Sequence, residues 1–219
     1  MTDSPRFVST PLDPSVHDVA RFGSGEPDLD AWLRDHAARA ARARVAQTFV
    51  WVAAGGHEVV GYYALSAHAV PRAEVPSRIG RGVPDPVPAA LLAKLALERS
   101  LHGQRLGDLL LVDALLRVLE ASESGPAVRA IVVDAAIDRG RALYARFGFV
   151  PAPGRDDRMI VRAETIASGL RAILAEAVSG PVDKDDLFAT LLDRFAGIGG
   201  VERDLPERST PARAPDLSS

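Results

Sequence analysis

The chain has 219 residues, 47% of them hydrophobic and 25% charged, with a formal net charge of −3. That make-up belongs to an ordinary globular protein and excludes a collagen-like, low-complexity or wholly disordered chain. There is no cysteine, which excludes a disulfide framework, a Cys-ligated zinc and a thiol nucleophile.

The longest stretches without Asp, Glu, Lys or Arg are 45–57 and 59–71, at 13 residues each. A membrane span needs roughly 18, so no membrane segment is expected. Residues 1–19 have no apolar signal core, and the expected location is the cytoplasm. Residues 1–167 carry no net charge, whereas 168–219 carry −3. Such a neutral body is not a generic nucleic-acid binder by net charge. Arginine supplies 24 of the 26 cations, so local arginine patches can still meet phosphates.

In chain order, 6–12 reads as an edge strand broken by Pro11 and Pro14, and 16–22 as a short helix before the turn Gly23-Ser24-Gly25. A helix is expected from Asp28 to about Val45, with Leu29, Trp32, Leu33, Ala37, Ala40 and Ala41 on one face. The aromatic and β-branched runs 48–54 and 58–66, joined by Gly55-Gly56, signal a hairpin. Five prolines in 71–88 mark a loop crossing the surface. By periodicity 89–98 fits helix or strand; the glycine-bearing turn and long helix after it favour strand over 94–98. Helix 106–122 is apolar nearly all round, with a narrow stripe of Asp113, Arg117 and Glu120, so neighbours should cover most of it. Strand 128–135, helix 138–147 with Gly148 as its left-handed terminator, and short strands at 149–150 and 158–162 complete the body. Beyond it, 166–178 and 183–196 read as helices and 206–219 as disordered. The domain expectation is therefore 1–167 as the body and 168–219 as a helical extension.

The informative segment is a strand, then His102-Gly103-Gln104-Arg105-Leu106-Gly107, then the long helix. A glycine-bearing turn at a helix N-terminus presents unpaired backbone N–H groups and suits a phosphate or diphosphate. The P-loop pattern and the dinucleotide GxGxxG are both absent, as is any metal spacing such as HExxH, so no metal is expected.

The order strand, turn, helix, strand 128–135 and a helix ending Tyr144-Ala145-Arg146-Phe147-Gly148-Phe149 resembles the GNAT superfamily of acyl-CoA-dependent N-acetyltransferases. In that family's acyl-CoA loop, His102 stands where Gln or Arg is usual and Arg105 where the first glycine is usual. Further blocks, Phe22-Gly23-Ser24-Gly25, Leu29-Asp30-Ala31-Trp32-Leu33, Thr48-Phe49-Val50, Gly61-Tyr62-Tyr63-Ala64-Leu65-Ser66 and Val132-Val133-Asp134-Ala135, extend the resemblance to the branch holding the TacT-type toxins. That resemblance implies an α/β (α+β) GNAT fold, a mixed twisted sheet with helices on both faces, and acetyl-CoA as co-substrate. It implies N-acetylation of the α-amine of aminoacyl-tRNA, a ribbon-helix-helix antitoxin as partner and a homodimer. A GNAT acting on a small amine or protein amine, and a non-catalytic acyl-CoA- or partner-binding module, stay open.

On the same resemblance Tyr144 is the general acid beside the departing thiolate. A helical side chain leans over the preceding turn, so Tyr144 is expected over Gly140, whose missing side chain leaves room for the thiol. His102, Gly103, Gln104, Arg105, Leu106, Gly107 and Asp108 hold the diphosphate. Ala96 and Leu97 offer strand backbone to the pantetheine arm. Asp138 reads as a helix cap, and no catalytic carboxylate is nominated, because an α-amine titrates near 7.7–8.0, an ester neighbour lowers that, and much of it is already neutral at working pH. Arg34, Arg39, Arg42, Arg78 and Arg81 are the expected tRNA contacts.

Overall fold

A computed structural model describes residues 7–135 and 138–178. Strand β1 (Phe7–Pro11) is followed by helices α1 (Pro27–Asp35) and α2 (Ala37–Arg42), strands β2 (Gln47–Ala53) and β3 (Val59–Val70), short helix α3 (Ser77–Gly80) and strand β4 (Val87–Leu97). Helix α4 (Leu106–Ser124), strand β5 (Ala130–Asp134), helix α5 (Asp138–Arg146), strands β6 (Val150–Ala152) and β7 (Arg155–Arg162), and helix α6 (Ala163–Val178) complete it. Seven strands form one mixed sheet in the order β1-β2-β3-β4-β5-β7-β6. Every neighbouring pair is antiparallel except β4 and β5.

Alternation along the strands sorts side chains to two faces. Phe49, Trp51, Tyr63, Ile131, Val133 and Val161 pack with α4, α5 and α6. Val50, Val52 and Tyr62 face the other way and pack with Leu33 and Ala37 of α1 and α2. Farther along that second face, Val132 and Ile160 pack with Ile79 of α3. Helices thus cover both faces, as the resemblance implies. Helix α4 buries seven residues from Asp108 to Val118, and its polar stripe is used inside: Trp51 Nε1 donates to Asp113 at 2.8 Å, and Arg117 lies 4.6 Å over the Phe49 ring.

Two expected helices differ. Residues 16–22 form turns and an isolated bridge between Asp18 and Glu58. Asp13 accepts from the Ser15 amide at 2.8 Å and holds the chain in a turn, and Val16 stays 46% exposed, so a helix here would have no continuous face to bury. The helix expected from Asp28 to Val45 is interrupted at His36 and ends at Arg42. Leu33 and Ala37, on either side of the break, are both buried against the sheet. Strand β3 also runs on to Val70, past the expected Ser66. Helix α6 starts at Ala163 and spans the expected boundary at 167, with Ile166 and Leu170 buried in the first core. The readings of 183–196 and 206–219 lie outside the described residues.

Candidate active site

The site begins with a defect in the sheet. β4 and β5 pair only from Ala89–Ala130 to Leu92–Val133. On its other edge, β4 shifts register against β3 between Leu92 and Lys94 and then continues to Leu97. The extra residue, Ala93, is a bulge, and a bulge bends its strand. Past it, β4 follows β3 away from β5, and Lys94, Leu95, Ala96 and Leu97 have no β5 partner. A cleft of about 720 Å³ opens at this splay, lined by Leu95, Ala96 and Leu97 on one side and by Gly140, Leu143 and Tyr144 on another.

The turn after β4 closes one end. His102 Nε2 lies 2.9 Å from the Leu97 carbonyl oxygen, tying the turn to the strand end. Gly103 has φ +82°, a conformation glycine adopts without steric cost. Arg105 has φ +59° and caps α4. The backbone thus keeps the left-handed conformation at the position where the family has glycine, at a cost of about 1–2 kcal/mol for an L residue. Among the described residues, no acceptor is present for the amides of Gly103 and Gln104. Those of Leu106 and Gly107 belong to the first turn of α4, where an α-helix supplies no acceptor. A Cβ built on Gly103 or Gly107 would meet no protein atom within 4 Å. The cradle is open, with donors at the positive end of a 19-residue helix, and it fits an anionic diphosphate.

Asp108 is the first acidic residue of that helix and is 3% exposed. Its carboxylate pairs with Arg146 from the last turn of α5, and Arg105 Nε lies 4.0 Å from its other oxygen. Burial raises its pKa above the ordinary carboxylate value, and the two guanidinium groups oppose that rise. Its amide bonds to the Arg105 carbonyl at 3.1 Å, so Asp108 organises the two arginines rather than donating to an anion.

Tyr144 is 8% exposed, and its ring leans on Phe149 with 5.6 Å between centroids. Burial pushes its phenol up to about 12. It therefore stays protonated across the neutral range and keeps a proton to donate.

Of the residues expected to bind the co-substrate, Ala96, Leu97, His102, Gly103, Arg105, Gly107 and Asp108 share this cleft with Tyr144 and Gly140. The side chains of Gln104 and Leu106 do not line it. Gln104 Nε2 donates to the Ser100 carbonyl at 3.3 Å, and Leu106 packs on the first core. Sequence reasoning did not find Arg146, Arg99 or the wall Ser24-Gly25-Glu26. The signal for that wall was the glycine turn itself, which Asp30 fixes by accepting from the Ser24 amide and hydroxyl at 2.9 and 2.6 Å. Asp134 is held by Arg158 through bonds of 2.8 and 3.2 Å; the side chain of Asp138 lies outside those described.

The five expected tRNA arginines come from α1 (Arg34), α2 (Arg39 and Arg42), α3 (Arg78) and the residue after α3 (Arg81). Arg34 donates to the Phe22 carbonyl at 3.2 Å, and Arg39 reaches His36 Nδ1 at 3.2 Å. Arg42 and Arg81 are exposed. Arg78 lines a second cavity.

A splayed parallel pair, an amide cradle at a helix N-terminus and a buried tyrosine in one cleft define a GNAT-fold N-acyltransferase. Among curated proteins the chain is 43% identical to the tRNA-acetylating toxin of Mycobacterium tuberculosis over 150 residues, 68% of this chain and 86% of that one. It is 30% identical over 177 residues to a probable toxin TacT of Sinorhizobium fredii, covering 76% and 97%. The chain belongs to the TacT-type family of tRNA-acetylating GNAT toxins. No family model matches it. Among solved structures, AtaT complexed with acetyl-methionyl-tRNAfMet aligns with a TM-score of 0.69 and 25% identity, covering 74% of this chain and 98% of AtaT. AtaTR bound with AcCoA aligns at 0.64 and 25%, covering 74% and 96%. Among the described residues, no helix is long and apolar enough to cross a membrane, and no group of three His, Asp or Glu could hold a metal.

Proposed function

We propose that this protein transfers the acetyl group of acetyl-CoA to the α-amine of aminoacyl-tRNA and so blocks translation. The observation that carries the reading is the placement of Tyr144 and the Gly103–Gly107 amides in the one cleft that the Ala93 bulge opens. The names of the relatives support the acceptor.

The turn amides would hold the diphosphate, and the β4 backbone past Ala93, on the edge that β5 leaves, would pair with the pantetheine amides. That places the thioester in the splay beside Tyr144. The neutral amine attacks the thioester carbonyl carbon, an N–C bond forms, the C–S bond breaks, and the amine's proton leaves to solvent. The departing sulfur accepts a hydrogen bond, and then the proton, from the Tyr144 hydroxyl, and the phenolate regains a proton from solvent. A free thiol titrates near 8.5; a phenol near 12 gives its proton readily only as the sulfur gains basicity in the dry cleft. Among the described residues no other group bonds that hydroxyl, which leaves it available. A carboxylate base is not required, because the α-amine titrates near 7.7–8.0.

An antitoxin partner accords with the solved AtaT structure bound to the C-terminus of its antitoxin AtaR; a ribbon-helix-helix antitoxin and a homodimer are part of the same proposal, as is a cytoplasmic site of action. Incubating the purified chain with acetyl-CoA and charged tRNA tests it: N-acetylated aminoacyl-tRNA is the expected product, and its loss in Tyr144→Phe ties the product to this cleft.

A further inference from the structure

Helix α5 separates two cavities. The first is the cleft of Tyr144. The second, about 640 Å³, lies on its other side against β6, β7 and α6, and both cavities include Ala142 in their walls. Three arginines from three elements line the second: Arg78 of α3, Arg141 of α5 and Arg162 of β7. Thr165 adds a hydroxyl, and among the described residues no Asp or Glu lines the cavity.

Guanidinium groups in a nearly neutral body normally find carboxylates. These do not: among the described residues, none of the three lies within 4.0 Å of a carboxylate oxygen. Among the described residues Arg141 donates to the Asp156 backbone carbonyl and to no carboxylate. Arg162 Nε is buried without a hydrogen-bond partner among the described residues, and such an orphan is costly unless a ligand satisfies it.

We infer that this cavity is a phosphate seat for the acceptor strand of the RNA substrate; the inference rests on the proposed aminoacyl-tRNA reading and locates where that RNA is held. Arginine's planar fork matches phosphate oxygens in pairs. Guanidinium groups on separate elements suit a chain of regularly spaced charges better than one carboxylate. The position agrees: Arg141 lies one turn before Tyr144 on the same helix, and a helix with its side chains is about 10–12 Å across. A strand whose terminal amine reaches the splay passes this cavity with the phosphodiesters next to that end. Of the arginines marked from sequence as tRNA contacts, only Arg78 belongs to this seat.

The test uses the full chain, with R78Q/R141Q and the same pair plus R162Q. Acetyl-CoA affinity by calorimetry reports that each variant is folded, and is expected to stay within about twofold, since acetyl-CoA occupies the other cavity. The KM for charged tRNA should rise by about tenfold or more at physiological salt. The slope of log affinity against log salt should fall by about 2 for the double variant, one for each phosphate left without its arginine. An aminoacylated adenosine, which carries the same amine and ester but no bridging phosphate, should be acetylated as well by the variants as by the parent. A double variant with intact acetyl-CoA binding but parental KM and salt slope for tRNA overturns the inference and leaves the proposed function standing. Loss of binding to an acidic peptide with tRNA kinetics unchanged also overturns it, in favour of a peptide seat. A parent chain that does not acetylate charged tRNA overturns both.

Discussion

Asp108 and Arg146 join the first turn of α4 to the last turn of α5, pairing a carboxylate that is 3% exposed with a guanidinium whose side chain is 51% exposed. The two helices that frame the cleft are tied at the level of the diphosphate cradle. An acid at that place would repel an anionic ligand if it stood alone. With Arg146 and Arg105 against it, it holds two cations at the cleft wall.

Burial is the largest influence on Asp108, and it raises the pKa above the unfolded value of 3.8. A carboxyl whose folded pKa lies above its unfolded one stabilises the fold below the unfolded pKa, and that contribution is lost as pH rises through the folded pKa. Asp108→Asn keeps the shape without the charge. Its Tm relative to the parent should therefore increase between pH 4 and neutrality. Thermal denaturation across that range checks it; a difference that falls with rising pH would mean that the Arg146 pair dominates.

Tyr144→Phe keeps the ring packed on Phe149 and removes only the hydroxyl. If the phenol protonates the leaving sulfur, kcat should drop by about 10²–10⁴ with acetyl-CoA affinity unchanged by calorimetry. An unaltered kcat assigns Tyr144 to packing alone.

The same hydroxyl makes a pH prediction. Its pKa moves from 10.0 to about 12, so kcat should rise as the acceptor amine loses its proton near 7.7–8.0. It should then stay level to about pH 10, below which this phenol does not ionise. The raised pKa also means that Tyr144 stabilises the fold below pH 10 and that this contribution fades as pH climbs through about 12. A falling limb in kcat near pH 9 that Tyr144→Phe abolishes would contradict the assignment.

Gly107→Ala separates binding from folding. The new Cβ meets no protein atom within 4 Å, and Ala is favoured over Gly in a helix by about 0.5–1 kcal/mol. Tm should rise slightly while acetyl-CoA affinity weakens, because the methyl group occupies space the diphosphate needs. Equal affinity in the two proteins, by calorimetry, would move the cradle elsewhere.

Local chemistry was legible in the sequence wherever one stretch of chain decides it. Gly55-Gly56 marks the β2–β3 hairpin, with Gly55 at φ +79°, and Gly148 ends α5 at φ +79° as its place after the helix implies. The apolar run of α4 shows that the helix is buried, and Tyr144-Ala145-Arg146-Phe147-Gly148-Phe149 marks the helix that flanks the cleft. Features that depend on distant partners were not legible. The Ala93 bulge exists because β4 must pair with β3 on one edge and leave β5 on the other. Asp108 and Arg146 are 38 residues apart in sequence, and nothing local to either announces the pair. The break at His36 interrupts one residue of an otherwise continuous helical period, which periodicity averages away. Arg105 shows the converse: the residue departs from the family pattern, while its backbone keeps the conformation that pattern implies.

The most direct test of the account is a mass measurement on the 3′-terminal aminoacyl-adenosine released by ribonuclease from charged tRNA after incubation with the full chain and acetyl-CoA. One added acetyl group on the α-amine, present with the parent and absent with Tyr144→Phe, is the predicted result. An unmodified aminoacyl-adenosine, from a chain that binds acetyl-CoA and acetylates some other amine, would contradict it.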